Sequence, residues 1–268
     1  MNAMKRQPLV IKGRIKLKYF DPGYCDGMDK EKVRAWTRKH DKRIGSLQQL
    51  LYANSSRAIL LIFQGMDASG KDSSIRSVLR RVNPAGVRTA NFKVPSEEEK
   101  AHDYLWRVHK EIPRLGTIGV FNRSHYEAVL AERVLHLAPR RAWRLRYRQI
   151  VDFERMLVEN GVVLVKFYLH ISRREQAARF EERLANPKKN WKFSHADLAT
   201  RQHWDDYVDA YEDMLNATSH PDARWNLVPA DRKWYRDYVI TQTVLAALDG
   251  LKMKWPESAE DLSKVRFK

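Results

Sequence analysis

One stretch limits this chain more than any other. Ala58 to Phe63 is an apolar run of strand length. It ends at Gly65, and Ile75, Val78, Leu79 and Val82 then recur at helical spacing. Between them lies Gly65-Met66-Asp67-Ala68-Ser69-Gly70-Lys71, the pattern G-x-x-x-x-G-K. The two glycines let the loop bend back, so that successive amide N–H groups point inward. Lys71 adds a point charge, and the helix beginning there adds its positive dipole end. A strand, this loop and a helix in that order predict a cradle for polyphosphate oxygens, formed by Met66, Ala68, Ser69, Gly70, Lys71 and Asp72.

The loop departs from the usual pattern. Asp72 stands where a Ser or Thr would hold magnesium. Asp67 lies inside the loop, where a free carboxylate beside bound phosphates would be repelled unless a metal ion or a proton relieved it. Asp67 therefore reads as a magnesium ligand or as a base acting on an acceptor phosphate. The alternative is a cap for the helix at Gly70–Val82.

Further along, apolar runs at about 58–64, 87–93, 117–121, 162–169 and 225–229 alternate with helical patterns. That alternation predicts a doubly wound α/β fold with a mainly parallel sheet. Long helices are expected at Asp29–Asn54, from Ser96 to about Ile112, from Glu127 to about Leu137, at Arg140–Asn160, and from Asp231 onward. A helix-loop-helix rich in Arg and Lys follows the strand at 162–169, and residues of about 173–218 are read as a lid inserted in a single domain of 1–268. Residues 1–28 form a basic arm.

The strand at 117–121 ends at Asn122 and Arg123. In phosphate-loop folds that place commonly holds an acid, and here the nearest acid is Glu127. Asn122 and Glu127 are candidates for the nucleotide site. Arg123 reads as a catalytic cation or, taken alone, as half of a surface ion pair. Arg133, Arg179 and Arg183 are the other candidate phosphate-binding cations.

Charge narrows the partner. Fifty Lys and Arg against thirty-three Asp and Glu give +17, a field that draws polyanions. No run of eighteen apolar residues predicts a membrane span. Met1–Gln7 lacks the apolar core of a secretion signal. One cysteine, Cys25, agrees with a reducing cytoplasm. Nine histidines with one cysteine give no zinc spacing.

Four segments together carry a family resemblance: G-M-D-A-S-G-K-D at Gly65–Asp72, N-R-S-H-Y-E at Asn122–Glu127, N-P-x-K-x-W-K-F at Asn186–Phe193, and P-A-D-R-K-W-Y-R at Pro229–Arg236. In this order they resemble the polyphosphate kinase 2 family across residues 30 to 245. The resemblance implies a thymidylate kinase-like, three-layer phosphate-loop fold with a helical lid. It implies magnesium-dependent phosphate transfer between inorganic polyphosphate and AMP, ADP or ATP, with guanine nucleotides as further candidates. Asp67, Lys71 and Arg123 match the catalytic positions, with magnesium on Asp67, and Arg179 and Arg183 lie in the stretch of lid arginines. Many members carry Asp at the place of Asn122 and Asn at that of Glu127. The departure resembles class III, the subgroup that phosphorylates both nucleoside monophosphates and diphosphates. No stable nucleic acid or membrane partner is expected, and self-association is. Two rivals stand beside this reading: an ATP-dependent nucleotide or small-molecule kinase on the same fold, and a basic phosphate-loop protein that binds nucleic acid.

Overall fold

In a computed structural model of the chain, residues 9–193, 195–258, 260–262 and 265–266 are described. Residues 1–8 of the expected basic arm lie outside them. The elements run as follows: β1 (Leu9–Val10), α1 (Lys30–Asn54), β2 (Ala58–Gln64), α2 (Lys71–Val78), β3 (Val87–Asn91), α3 (Glu97–Lys100), α4 (Trp106–His109), β4 (Ile118–Asn122), a 3-10 turn (His125–Val129), α5 (Ala131–Val134), α6 (Arg140–Glu159), β5 (Val162–His170), α7 (Arg173–Ala185), α8 (His195–Gln202), α9 (Trp204–Thr218), β6 (Trp225–Pro229) and α10 (Lys233–Gly250).

One sheet of six strands has the order β1-β6-β5-β2-β4-β3. Five strands are parallel, and β1 joins the β6 edge antiparallel. Every residue of β2 is buried, as a central parallel strand between two helical layers requires. Helices α1, α2 and α10 pack on one face, and α5, α6 and α9 on the other. The three layers put the carboxyl ends of β2, β3 and β4 together at one edge. Such folds bind ligands at those ends.

The strands fall within about two residues of their expected bounds, and α1 begins one residue after its cap, where Asp29 accepts from the Lys32 amide. Two helical expectations need correction. The stretch 96–112 is broken into α3 and α4. Asp103 takes the Leu105 amide with its own carboxylate, and this local bond competes with helix continuation. The stretch after Glu127 is likewise a 3-10 turn followed by one short helix that ends at Val134, and His136 just beyond it takes φ of +56°. The rear helix of the expected lid, α9, is a core element. Its Tyr207, Tyr211, Met214 and Leu215 are buried, and Tyr211 packs on Tyr168 of β5.

Candidate active site

Gly65 and Gly70 take φ of +153° and +104°, values open to glycine and costly for other residues. At Gly70 there is also no room: a Cβ would lie 1.9 Å from Nη1 of Arg236. The loop thus closes onto α10 as well as onto its own helix. Within it, Lys71 is 9% exposed, and its Nζ donates to the carbonyls of Gly65 (2.7 Å) and Met66 (3.2 Å). Burial pulls its ammonium below the ordinary lysine value, and Asp67 pulls it back up.

Beside the loop, β4 pairs in register with β2, so Asn122 lies opposite Phe63. Arg123 follows with φ of +61°, anchored by its amide to the Phe63 carbonyl. A left-handed backbone at an arginine marks a position the surroundings enforce. The twist sends its guanidinium to Asp67, with Nη2 2.6 Å from Oδ1. Nη1 stands 3.7 Å from Glu127, whose other oxygen accepts from Gln64 at 3.1 Å. Glu127 first, and then Asp67 against the opposing effect of burial, raise the pKa of Arg123 above the ordinary arginine value, so it is a permanent cation. Asn122 donates its amide to Asp72 at 2.6 Å. An acid at 122 would repel Asp72, and the amide bridges it instead.

Arg179 has a role not evident from its helical spacing. Its Nε donates to Glu175, Nη1 to the carbonyls of Ala68 and Ser69, and Nη2 to those of Ala230 and Asp231. All five N–H groups of the guanidinium are used, so Arg179 is a clamp that ties the glycine loop to the turn before α10. Gln176 adds a bond to the Asp67 carbonyl at 2.9 Å. Replacing Arg179 by Lys leaves three donors for these acceptors. Arg179→Lys should lower stability by about 2 kcal/mol and melt several degrees earlier by calorimetry; an unchanged melting point would remove the clamp.

These groups line a cleft of about 720 Å³. Asp67, Lys71, Asp72, Asn122, Arg123, Arg179 and Arg183 all border it. The strand end Asn91–Val94, Lys189, Trp191, Lys233 and Arg236 complete the walls. Eight lysines and arginines face three carboxylates there, so the cleft is built for a polyanion. Arg133 requires correction. It lies outside this lining, pairs with Asp213 at 2.8 Å and stacks on Trp143, because the short α5 carries it toward α6 and α9. Lys93, Lys189, Lys233 and Arg236 were missed, although the last three sit in the segments that carry the family resemblance. The carboxyl end of the 87–93 strand was the available signal for Lys93.

Among the described residues, no group of three or more His, Cys, Asp or Glu is arranged to hold a metal ion. Magnesium, however, commonly takes one or two carboxylates and completes its shell with water and substrate phosphates. Asp67 and Asp72, both on the cleft wall, fit that donor set. No helix among the described residues is long and apolar enough to cross a membrane.

A parallel sheet, a glycine loop opening a helix at its carboxyl edge, and a cationic cleft above it define a phosphate-loop α/β protein. A family model described as Polyphosphate kinase 2 matches residues 27–256. The chain belongs to the polyphosphate kinase 2 family. It is 45% identical over 264 residues to the AMP/ADP-polyphosphate phosphotransferase of Meiothermus ruber, covering 98% of this chain and 99% of that one. It is 46% identical over 250 residues to the ADP-polyphosphate phosphotransferase of Rhodopseudomonas palustris, covering 89% and 86%. The crystal structure of Polyphosphate Kinase 2 from Arthrobacter aurescens superposes with a TM-score of 0.94 at 40% identity, covering 96% of this chain and 94% of that chain.

Proposed function

We propose that this chain transfers the terminal phosphoryl group of inorganic polyphosphate to AMP and to ADP, reversibly, giving ADP and ATP. The observation that carries the reading is the cleft itself, where a phosphate loop, Arg123 and a net positive wall converge in a member of this family. An acceptor phosphate oxygen attacks the terminal phosphorus in line. The P–O–P bond opposite breaks, and the polymer leaves one phosphate shorter. Such a transfer needs positioning and charge neutralisation more than covalent help.

The loop amides and Lys71 hold the transferring phosphoryl group. Arg123, fixed by Asp67 and Glu127, presents a second cation to the same cleft. Arg183, Lys189 and Lys233 guide the polymer along the wall. Magnesium, held by Asp67 with Asp72 beside it, would neutralise phosphate charge when bound. The covering element is the stretch 183–193, since Gln176 and Arg179 tie the front of α7 to the loop and α9 is core. Closure there would exclude water as a competing acceptor. Dual acceptor use rests on Asn122 and Glu127, where this chain resembles class III. The reading also places the protein in the cytoplasm, with its nucleotide substrates, as a self-associating chain whose molar mass light scattering would read.

The test is ATP formation by the purified protein with magnesium and long-chain polyphosphate, with AMP and ADP in separate reactions. Product from both is expected. Product from ADP alone would keep the polymer donor and remove the dual-acceptor reading. Transfer only from ATP to another acceptor would favour the ATP-dependent rival. Nucleic-acid binding without transfer would favour the binding-protein rival. GDP in place of ADP reads the base preference.

A further inference from the structure

Behind the site lies a buried network of polar side chains that the transfer reaction does not use directly. Lys166, in the middle of β5, and Glu154, on α6, are both fully buried. Lys166 Nζ donates to Glu154 Oε2 (2.6 Å), to the Tyr126 hydroxyl (3.0 Å) and to the Thr218 carbonyl (2.8 Å). Glu154 Oε1 accepts from the Tyr126 hydroxyl at 2.6 Å and meets His125 Nε2 at 3.3 Å; its Oε2 meets His220 Nε2 at 3.1 Å. His125 and Tyr126 belong to the 3-10 turn that begins two residues after Arg123.

We propose that Glu154 and Lys166 are positioning residues for Arg123, acting through His125 and Tyr126. The inference rests on the function proposed above. Stability does not account for the network, because apolar replacements of a buried ion pair commonly cost nothing. Directionality accounts for it. The ammonium and the carboxylate at its centre are paired and hydrogen-bonded, while Nδ1 of His125 and of His220 find no hydrogen-bond partner among the described residues. Bonds of fixed direction to Tyr126 and His125 favour one arrangement, whereas apolar packing tolerates several. Here the arrangement fixes the turn, and the turn holds Arg123 in its left-handed backbone with its guanidinium on Asp67. Positional errors of about 1 Å at such a group can cost on the order of a hundredfold in rate.

Two double variants test the idea. Glu154→Leu with Lys166→Met removes both charges and the acceptor for Tyr126. Glu154→Gln with Lys166→Met also removes both charges but keeps a carbonyl for Tyr126 and His125. The first should lose about tenfold or more in kcat at unchanged KM for polyphosphate, and the second should recover most of it. Equal activity in both, or equal losses that track a falling Tm, would overturn the proposal. If the first does not fold, Tyr126→Phe carries the same readout, with kcat expected to fall about fivefold at unchanged KM. A crystal structure of the variant gives a readout independent of activity. Arg123 displaced from Asp67 supports the proposal, and Arg123 in place overturns it. A wild-type protein that makes no product would strike the proposed function instead, and the crystal structure would still decide this inference.

Discussion

Lys71→Met should reduce phosphoryl transfer by about a thousandfold or more while leaving the fold intact. The side chain is nearly isosteric and the loop glycines are untouched, so what is removed is the charge facing the transferring group. Stability should hold or rise. Burial lowers the Lys71 pKa in the folded chain, so over the pH range between the folded and unfolded values the unfolded chain binds more protons. Stability therefore climbs as pH rises through that window, and the penalty of the buried ammonium is fully present below it. Methionine removes that penalty but also the bonds to the Gly65 and Met66 carbonyls. The checks are steady-state transfer and thermal melting in parallel. Substantial retained activity would refute the assignment of the loop, and an unfolded variant would show that Lys71 serves structure first.

Asp67→Asn should be nearly as damaging, at about a hundredfold or more in kcat. Asparagine keeps an acceptor for Arg123 Nη2, now 2.6 Å from Oδ1, so the geometry of that contact survives. The lost negative charge weakens the hold on a hard cation. Magnesium titration separates the two roles open to Asp67. A rise in the concentration needed for half-maximal activity supports metal binding. Lost activity with an unchanged magnesium profile would leave Asp67 as a base toward the acceptor phosphate and place the metal elsewhere, with Asp72 the next candidate.

The place of Lys71 and Asp67 at the cleft could be read from the sequence, and for a common reason. Strand β2, the glycine loop and α2 are consecutive, and their geometry follows from local rules: burial of an apolar run, positive φ at glycine, and the start of a helix. Arg123 was also accessible, because a strand end beside the loop strand follows from sheet topology. Other parts were not. Arg133 reads from its charge as a phosphate-binding cation, yet its ion-pair partner is Asp213, 80 residues further on, and its ring partner Trp143 lies across the break between α5 and α6. Arg179 and Arg183 share a helical face, but only the fold shows that Arg179 spends its donors on backbone carbonyls. The stretch 96–112 has helical periodicity, and one aspartate at 103 interrupts it by a local bond that periodicity does not register.

The sequence by itself determined the alternation of strands and helices, the phosphate loop and the excess of positive charge. Those depend on neighbours within a turn or on composition, and the chain carries them wherever it goes. The tertiary structure alone decided which cations face the cleft and which hold it together. It also decided that the 204–218 helix is core rather than cover, and that Glu154 and Lys166 meet behind Arg123. An arginine or a buried carboxylate satisfies whatever donors and acceptors the packing brings within 3 Å or so, and those partners come from segments the local sequence does not specify.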